Sequence, residues 1–133
     1  MVTAVDSSVL LDVLTDDPAH RDRSLRALQA ARQLGALIVC PVVWAEVSAF
    51  FADAATLGAA FDEAGLTFDP FDRGCAELAG RTWRDYRRRG GTRTRLVPDF
   101  LVGAHAQLRG GRLLTRDRGF YRRFFSALQV IGP

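Results

Sequence analysis

Lysine is absent from this chain of 133 residues, whose 18 basic residues are all arginine. A P-loop nucleotide site needs the lysine of its GK[ST] motif, so ATP or GTP hydrolysis of that type is excluded. Schiff-base catalysis needs a lysine amine, and it is excluded for the same reason. The net charge of +3 is modest, and on its own it does not indicate a nucleic-acid partner.

Cysteines and long apolar runs are also scarce. The two cysteines, Cys40 and Cys75, belong to no C-x-x-C pair, and we expect reduced core thiols rather than a disulfide or a zinc site. No apolar run approaches the roughly 20 residues that a membrane span needs. The first residues do not place a basic segment before a long apolar run, as a secretion signal would. We therefore expect a cytoplasmic protein without a membrane segment.

The remaining composition fits one domain over residues 1–133, because 48% of the residues are hydrophobic and can fill a single core. Short, nearly continuous apolar runs alternate with segments of helical periodicity. This alternation predicts an α/β domain with a mainly parallel central sheet and helices on both faces. The predicted strands are 2–5, 36–40, 66–68, 112–115 and 128–131. The predicted helices are 9–14, 19–34, 42–51, 54–64, a long helix that opens at 69–72 and ends near 88, 98–108 and 118–125.

Four carboxylates stand near strand ends or helix starts: Asp6, Glu46, Asp99 and Asp117. Each alone is compatible with a helix cap, because helix N-termini favour anions. Together they would repel one another at the carboxyl edge of a parallel sheet unless a cation were present. Mg²⁺ or Mn²⁺ suits carboxylate and water ligands, so the four predict a metal site. Other aspartates are expected to be caps or solvated, namely Asp12, Asp16, Asp17, Asp72 and Asp85.

Four sequence segments carry a family resemblance. They are VDSSVLLD at 5–12, PVVWAEV at 41–47, PDFLVGAHA at 98–106, and LLTRDRGF at 113–120, which contains the pattern T-x-D-x-x-F. In this order they resemble a PIN domain, and at this chain length they are most similar to the VapC toxins of bacterial type II toxin–antitoxin systems. The resemblance implies a parallel sheet with helices on both sides and a Mg²⁺-dependent endoribonuclease, for which Mn²⁺ would substitute. It also implies a homodimer and inhibition by a VapB-type antitoxin.

The resemblance also assigns roles to individual residues. Asp6, Glu46, Asp99 and Asp117 would be the catalytic metal-site acids, and Thr115 would be the hydroxyl that orients a carboxylate or a metal-bound water, with Ser8 assisting similarly. The metal would lower the pKa of a water that attacks phosphorus in line, with one or two metals both left open. Residues 54–72 carry no family signature, so the RNA target, a tRNA or a ribosomal RNA, stays open.

Neither of the two histidines fits an acid–base role well. His105 follows Asp99 by six residues and therefore lies on another face of the helix, where we expect packing or a supporting contact. His20 is expected in a loop or at a helix start.

Arginines crowd the end of one predicted helix and the loop that leads to Asp99. Arginine at a helix C-terminus compensates the helix dipole, but the number here exceeds that need. We therefore predict RNA-binding roles for Arg87, Arg88, Arg89, Arg93, Arg95 and Arg116. The sequence does not decide whether the aromatic residues Trp44, Phe50 and Phe51 belong to the core, to a homodimer interface or to an antitoxin groove.

Two other functions compete with a metal-dependent nuclease. Phosphatases of the haloacid-dehalogenase type and receiver-type phosphoacceptors also place an aspartate after the first strand, but both need a lysine in the site. A non-catalytic PIN-like protein used for RNA binding or assembly remains an alternative. Metal-dependent cleavage would separate an enzyme from such a binder.

Overall fold

The computed structural model describes residues 1–92 and 97–133. Strands and helices alternate along these residues, as the apolar pattern predicts. In chain order the elements are β1 Val2–Val5, α1 Ser7–Leu14, α2 Arg21–Leu34, β2 Ala36–Val39, α3 Pro41–Ser48, α4 Ala54–Ala64, β3 Leu66–Phe68, α5 Arg73–Arg88, α6 Pro98–Arg109, β4 Arg112–Leu114, α7 Arg118–Phe124 and β5 Gln129–Ile131.

The five strands form one sheet in the order β3-β2-β1-β4-β5, and every neighbouring pair is parallel. The predicted α/β fold with a parallel sheet is thus confirmed. The chain steps from β1 to β2 to β3 on one side and then returns to place β4 beside β1. Right-handed crossovers in these opposite directions put their helices on opposite faces of the sheet. The reversal between β1 and β4 is the topological switch point, where such folds open a crevice at the carboxyl ends of the strands.

The core fills the space between the sheet and its helices. The three inner strands are almost wholly buried, as parallel strands covered on both faces must be. Helix α6 packs closely because Gly103 lacks a side chain: a Cβ there would lie 2.3 Å from the Phe125 ring. Phe100 and Tyr121 are fully buried beside it. This packing fixes the position of α6, and with it the acid in its first turn.

Most predicted boundaries agree with the structure within two residues, but helix α3 is shorter than expected. It ends at Ser48 rather than at residue 51. The Ser48 hydroxyl donates to the Trp44 carbonyl, and Phe50 is 59% exposed while Phe51 packs against the core. Trp44 contacts the rings of Phe61 and Phe68 edge-on.

Two further expectations concern cysteines and membranes. Cys40 and Cys75 are both buried and unpaired, as predicted. None of the helices in the described residues combines the length and the apolar character that crossing a bilayer would require.

Candidate metal site at the carboxyl edge of the sheet

Asp6 is the most deeply buried of the four predicted acids, at 6% exposure. It follows β1 and caps α1, where its Oδ1 accepts the Ser7 N–H at 2.8 Å. Its Oδ2 accepts hydrogen bonds from Thr115 Oγ1 at 2.7 Å and from Ser8 Oγ at 3.2 Å. Burial raises the pKa of Asp6 above its ordinary value, and the nearby Asp117 charge adds to this rise, whereas the three hydrogen bonds oppose it.

Thr115 connects two of the acids. It is completely buried directly after β4, and its hydroxyl donates to Asp6 while accepting the Asp117 N–H at 3.0 Å. Ser8 Oγ accepts the Arg116 N–H at 3.2 Å, so a second hydroxyl joins α1 to the same loop. Thr115, to which the family resemblance assigns the orienting hydroxyl, is therefore hydrogen-bonded both to Asp6 and to Asp117.

Asp99 lies in the first turn of α6, after Pro98, which suits the first helical position. Burial raises the pKa of Asp99, and the negative charges of Asp6, Asp117 and Glu46 raise it further, in that order. Asp99 is therefore close enough to each of the other three predicted acids to be repelled by it. Glu46 Oε1 accepts a hydrogen bond from Ser7 Oγ at 3.2 Å, which ties α3 to the start of α1.

Tyr121 is a site residue that no sequence pattern singled out. It is fully buried on α7, and its hydroxyl lies 3.5 Å from Asp99 Oδ1, to which it donates. Burial and the surrounding carboxylates raise the pKa of Tyr121 far above its ordinary value, so the phenol stays protonated and remains a donor. A tyrosine next to the T-x-D-x-x-F pattern carries no sequence signal that distinguishes this role from core packing.

The donor chemistry of these four acids fits a hard divalent cation. Within the described residues, none of the four forms an ion pair with an arginine, although arginines pair with several other carboxylates. A bound cation stabilises such a cluster most where the carboxylates repel one another and have no positively charged partner. The carboxylate oxygens of the four acids are more widely spaced than the ligands of a closed metal site, since they do not all lie within 4.8 Å of one another.

One tighter group exists in the part of the chain that the structure describes: ligand atoms of Asp12, Asp17 and His20 all lie within 4.8 Å. Its members already have partners. Asp12 accepts two hydrogen bonds from Arg116, at 2.7 and 3.0 Å, and one from Ser24 Oγ at 2.6 Å. The expectation that Asp12 is a cap or solvated is therefore wrong, because it is 2% exposed and ion-paired.

The other two members of this group shape the turn before α2. Asp17 Oδ1 accepts the N–H groups of Ala19 and His20, each at 2.9 Å, as a turn residue does. His20 is the N-cap of α2, as predicted from its place in the sequence. The hydrogen-bonding capacity of this group is largely used within the protein.

His105 supports the fold at some distance from the acids. It is 1% exposed, and its Nε2 lies 2.7 Å from Asp69 Oδ2, while Arg109 donates to both oxygens of that carboxylate at 2.9 and 3.1 Å. The expectation of a packing or supporting role agrees with this geometry. Asp69 directly follows β3, so the strand-end pattern applies to it as well, but its arginine partner separates it from the four acids.

The His105–Asp69 contact predicts an acid-sensitive contribution to stability. Burial lowers the pKa of His105 below 6.5 against the opposing effect of Asp69. Below pH 6.5 His105 therefore binds a proton more readily in the unfolded chain than in the folded chain. The free energy of unfolding decreases as the pH is lowered. We expect His105→Gln, which keeps a donor for Asp69 but does not titrate, to flatten the decline by up to about 1.4 kcal/mol per pH unit. Urea unfolding between pH 7 and 5 measures this, and identical slopes for both proteins would contradict it.

The predicted RNA-binding arginines occupy different surroundings. Arg87 and Arg88 are exposed at the end of α5, and Arg89 is its C-cap. Arg93 and Arg95 lie outside the described residues. The Arg116 guanidinium is bound by Asp12, so it is a structural ion-pair partner as well as a predicted RNA contact.

A cavity of about 570 Å³ lies beside the C-terminal half of α5. Its lining combines an indole with several guanidinium groups: Gly80, Trp83, Arg84, Arg87, Arg88 and Gly91. The Arg87 guanidinium lies 5.3 Å from the Trp83 ring centre, and Trp83 Nε1 is buried without a hydrogen-bond partner among the described residues. An aromatic ring beside arginines is the combination that binds bases and phosphates of single-stranded nucleic acid.

Comparison with known proteins places this geometry in context. No curated protein sequence matches the chain significantly. Solved structures match over nearly the whole length: VapBC2 from Rickettsia felis bound to a promoter DNA fragment has a TM-score of 0.75, with 16% identity and coverage of 99% of this chain and 98% of the other. VapBC-1 from nontypeable Haemophilus influenzae has a TM-score of 0.70 and 14% identity, with the same coverage.

A third structural relative is Mycobacterium tuberculosis VapC20, described as a sarcin-ricin loop cleaving toxin. Its TM-score is 0.60 at 16% identity, covering 96% of this chain and 98% of that one. At such low identities these likenesses establish a shared fold. The family model for the PIN domain matches residues 3–124 of the sequence. The chain therefore belongs to the PIN-domain family.

Proposed function

We propose that this chain is a Mg²⁺-dependent endoribonuclease of the VapC type that cleaves structured cellular RNA, either tRNA or ribosomal RNA. The observation that carries the proposal is the clustering of Asp6, Glu46 and Asp117 around Asp99 at the switch point, where none of the four has an arginine partner among the described residues. The similarity in fold to VapC20, a toxin that cleaves the sarcin-ricin loop, supports RNA as the substrate.

Each acid has a defined role in this proposal. Asp6, Asp99 and Asp117 would hold the divalent cation, directly or through water, and Glu46 would complete the site. A bound Mg²⁺ supplies the acidity that makes a water nucleophilic near neutral pH. Thr115 and Ser8 keep the Asp6 carboxylate oriented by donating to its Oδ2, and the Tyr121 hydroxyl does the same for Asp99. The expected products carry a 5′-phosphate and a 3′-hydroxyl.

The substrate would be held mainly by the exposed end of α5. Arg87, Arg88 and Arg89 would contact RNA phosphates, with Arg93, Arg95 and Arg116 extending this track, and Trp83 offers a ring on which a base can stack. The partners proposed are a VapB-type antitoxin and a second copy of the chain, supported by the VapBC complexes among the structural relatives. The proposed location is the cytoplasm, where such RNA is found.

Incubation of the purified chain with total RNA tests the proposed function. We expect discrete cleavage in the presence of Mg²⁺, loss of cleavage in EDTA, and recovery when Mn²⁺ is added. Sequencing of the new 5′ ends would identify the RNA and the site of cleavage. RNA binding without any cleavage under these conditions would favour the non-catalytic alternative, and equal cleavage in EDTA would refute the metal site.

Thr115→Val is expected to weaken the site without removing a ligand. Valine has nearly the same shape but can neither donate to Asp6 nor accept the Asp117 N–H. Loss of such a supporting contact typically costs 10–100-fold in metal affinity or activity. Titration of cleavage with Mg²⁺ measures the shift. Thr115→Ser is the control, because it keeps the hydroxyl, and a Val variant with the affinity of the Ser variant would show that the hydrogen bonds do not matter.

A further inference from the structure

A second basic pocket lies at the same edge of the sheet, on the side of β5. It has a volume of about 200 Å³ and is lined by His20, Arg23, Arg116, Arg118 and Pro133. We propose that this pocket binds a backbone phosphate of the RNA strand next to the cleavage site. This inference rests on the proposed function and assigns a substrate contact to Arg23 and Arg118, which are not among the arginines of the track at the end of α5.

The pocket is next to the proposed metal site because two of its residues are sequence neighbours of a metal-site acid. Arg116 and Arg118 flank Asp117 in the sequence, in the loop after β4 and at the start of α7. His20 caps α2, and Arg23 lies in the first turn of that helix. Pro133 follows β5, the neighbour of β4. An RNA strand with one phosphate at the proposed metal site beside Asp117 therefore has a basic pocket within reach of its next phosphate.

Two of the three guanidinium groups are available for a ligand. Arg116 is neutralised by Asp12 and is thereby held in a fixed position in the pocket wall. In the described part of the chain, Arg23 and Arg118 form no ion pair. The Arg118 stem lies against Gly132, where a Cβ would stand 2.7 Å from its Cδ and 2.8 Å from its Nε. The absence of a side chain at Gly132 thus leaves the room that Arg118 occupies.

The chemistry of the lining favours a phosphate over a base. Guanidinium groups match phosphate oxygens with paired hydrogen bonds. Among the described residues the lining includes no tryptophan, tyrosine or phenylalanine, in contrast to the cavity beside Trp83, and its one imidazole, His20, contacts Asp17 Oδ1 at 3.2 Å. The volume of about 200 Å³ is also less than half of that cavity. An acidic segment of a partner protein is the competing occupant, and the effect of pocket variants on RNA binding distinguishes the two.

The test uses the double variant Arg23→Gln/Arg118→Gln, because the methylene groups of a glutamine side chain can still pack against Gly132. Binding of a fluorescent single-stranded RNA is measured in EDTA between 0.05 and 0.3 M salt, so cleavage does not interfere. Each phosphate contact contributes about 0.7 to the slope of log affinity against log salt. Because the pocket holds one phosphate, we expect the slope to fall by about 0.7, and affinity at 0.1 M salt to fall roughly fivefold.

The matched control is Arg26→Gln/Arg122→Gln, which removes the same charge from exposed positions on the same two helices, α2 and α7. Gly132→Ala is a second variant that keeps every charge but forces Arg118 to move. The proposal predicts unchanged binding in the control and weaker binding in Gly132→Ala. A wild-type slope in the Arg23/Arg118 variant, or equal losses in it and the control, would overturn it.

Failure of this proposal and failure of the proposed function give different results. If the wild type cleaves RNA but the Arg23/Arg118 variant binds it normally, the function stands and the phosphate pocket does not. If the wild type binds RNA through this pocket yet never cleaves it, the pocket stands and the nuclease does not. Loss of binding to an acidic protein partner, with RNA binding unchanged, would assign the pocket to that partner and refute the proposal.

Discussion

Asp99→Asn is expected to abolish RNA cleavage while leaving the metal-free protein at least as stable as the wild type. Asparagine offers a neutral oxygen where a divalent cation needs a charged ligand, and the loss should exceed the hundredfold upper range for a supporting contact. The change is nearly isosteric, and the Tyr121 hydroxyl keeps an acceptor. Activity and stability should therefore move in different directions.

The expected gain in stability follows from the sign of the pKa shift. The pKa of Asp99 is raised in the folded protein by burial and by the other acids. A carboxyl group with a raised folded pKa is easier to ionise in the unfolded chain, so its charge opposes folding at every pH above its ordinary pKa. Asparagine carries no charge and removes that opposition. In the wild type the bound cation would remove it instead.

Thermal unfolding with and without Mg²⁺ measures both effects. We expect Mg²⁺ to raise the unfolding temperature of the wild type but not that of Asp99→Asn. Asp53→Asn is the control, because Asp53 caps α4 by accepting the Thr56 N–H and its pKa is lowered rather than raised. It should keep full activity and gain no stability. Cleavage by Asp99→Asn at the wild-type rate would refute the role of Asp99.

Arg116→Met is expected to destabilise the fold by about 3 kcal/mol, because it leaves the Asp12 charge buried with only Ser24 as a partner. The figure is at the lower end of the range for broken buried pairs, since the Arg116 side chain is 36% exposed. For a domain of this size it corresponds to a decrease of roughly 10 °C in unfolding temperature. Arg116 joins α1 to the loop that carries Asp117, so metal affinity should decrease as well.

Two further variants distinguish the effect of breaking the Asp12–Arg116 ion pair from the effect of removing any arginine. Arg26→Met removes an exposed arginine on α2 and should change stability by less than about 0.5 kcal/mol. The double variant Asp12→Leu/Arg116→Met removes both charges and should recover part of the lost stability, because the unpaired carboxylate is gone. Guanidinium unfolding of all three variants and of Asp12→Leu alone measures the coupling between the two side chains. If Arg116→Met is no worse than Arg26→Met, the ion pair contributes little.

The sequence was most informative where a single physical rule decides the structure. Apolar runs between helical segments predicted all five strands and their parallel arrangement, because covered parallel strands have no polar face. The positions of Asp6 and Asp117 directly after predicted strands then indicated that both lie at the carboxyl edge of the sheet. The end of α3 was harder to predict, since Phe50 and Phe51 suit the continuation of a helix as well as the turn that follows Ser48 in the structure.

Pairings between distant side chains were beyond sequence reasoning. Asp12 resembles any acid on an exposed helix face until Arg116, 104 positions away, is known to reach it. Tyr121 resembles a core residue until its hydroxyl is found beside Asp99. Asp69 resembles a fifth site acid until Arg109 is found on its carboxylate. Each of these assignments depends on tertiary contacts that no local pattern encodes.

The central position of β1 has a consequence for the order in which the protein is made. Asp6 is synthesised 109 residues before its Thr115 partner, which lies on the loop that follows β4. A growing chain that ends before residue 112 lacks β4, the Thr115 hydroxyl and Asp117, so β1 has no β4 beside it. The carboxylate cluster is thus completed only after residue 117 has been added. A ribosome making this protein would be exposed to the assembled site only after that point in translation.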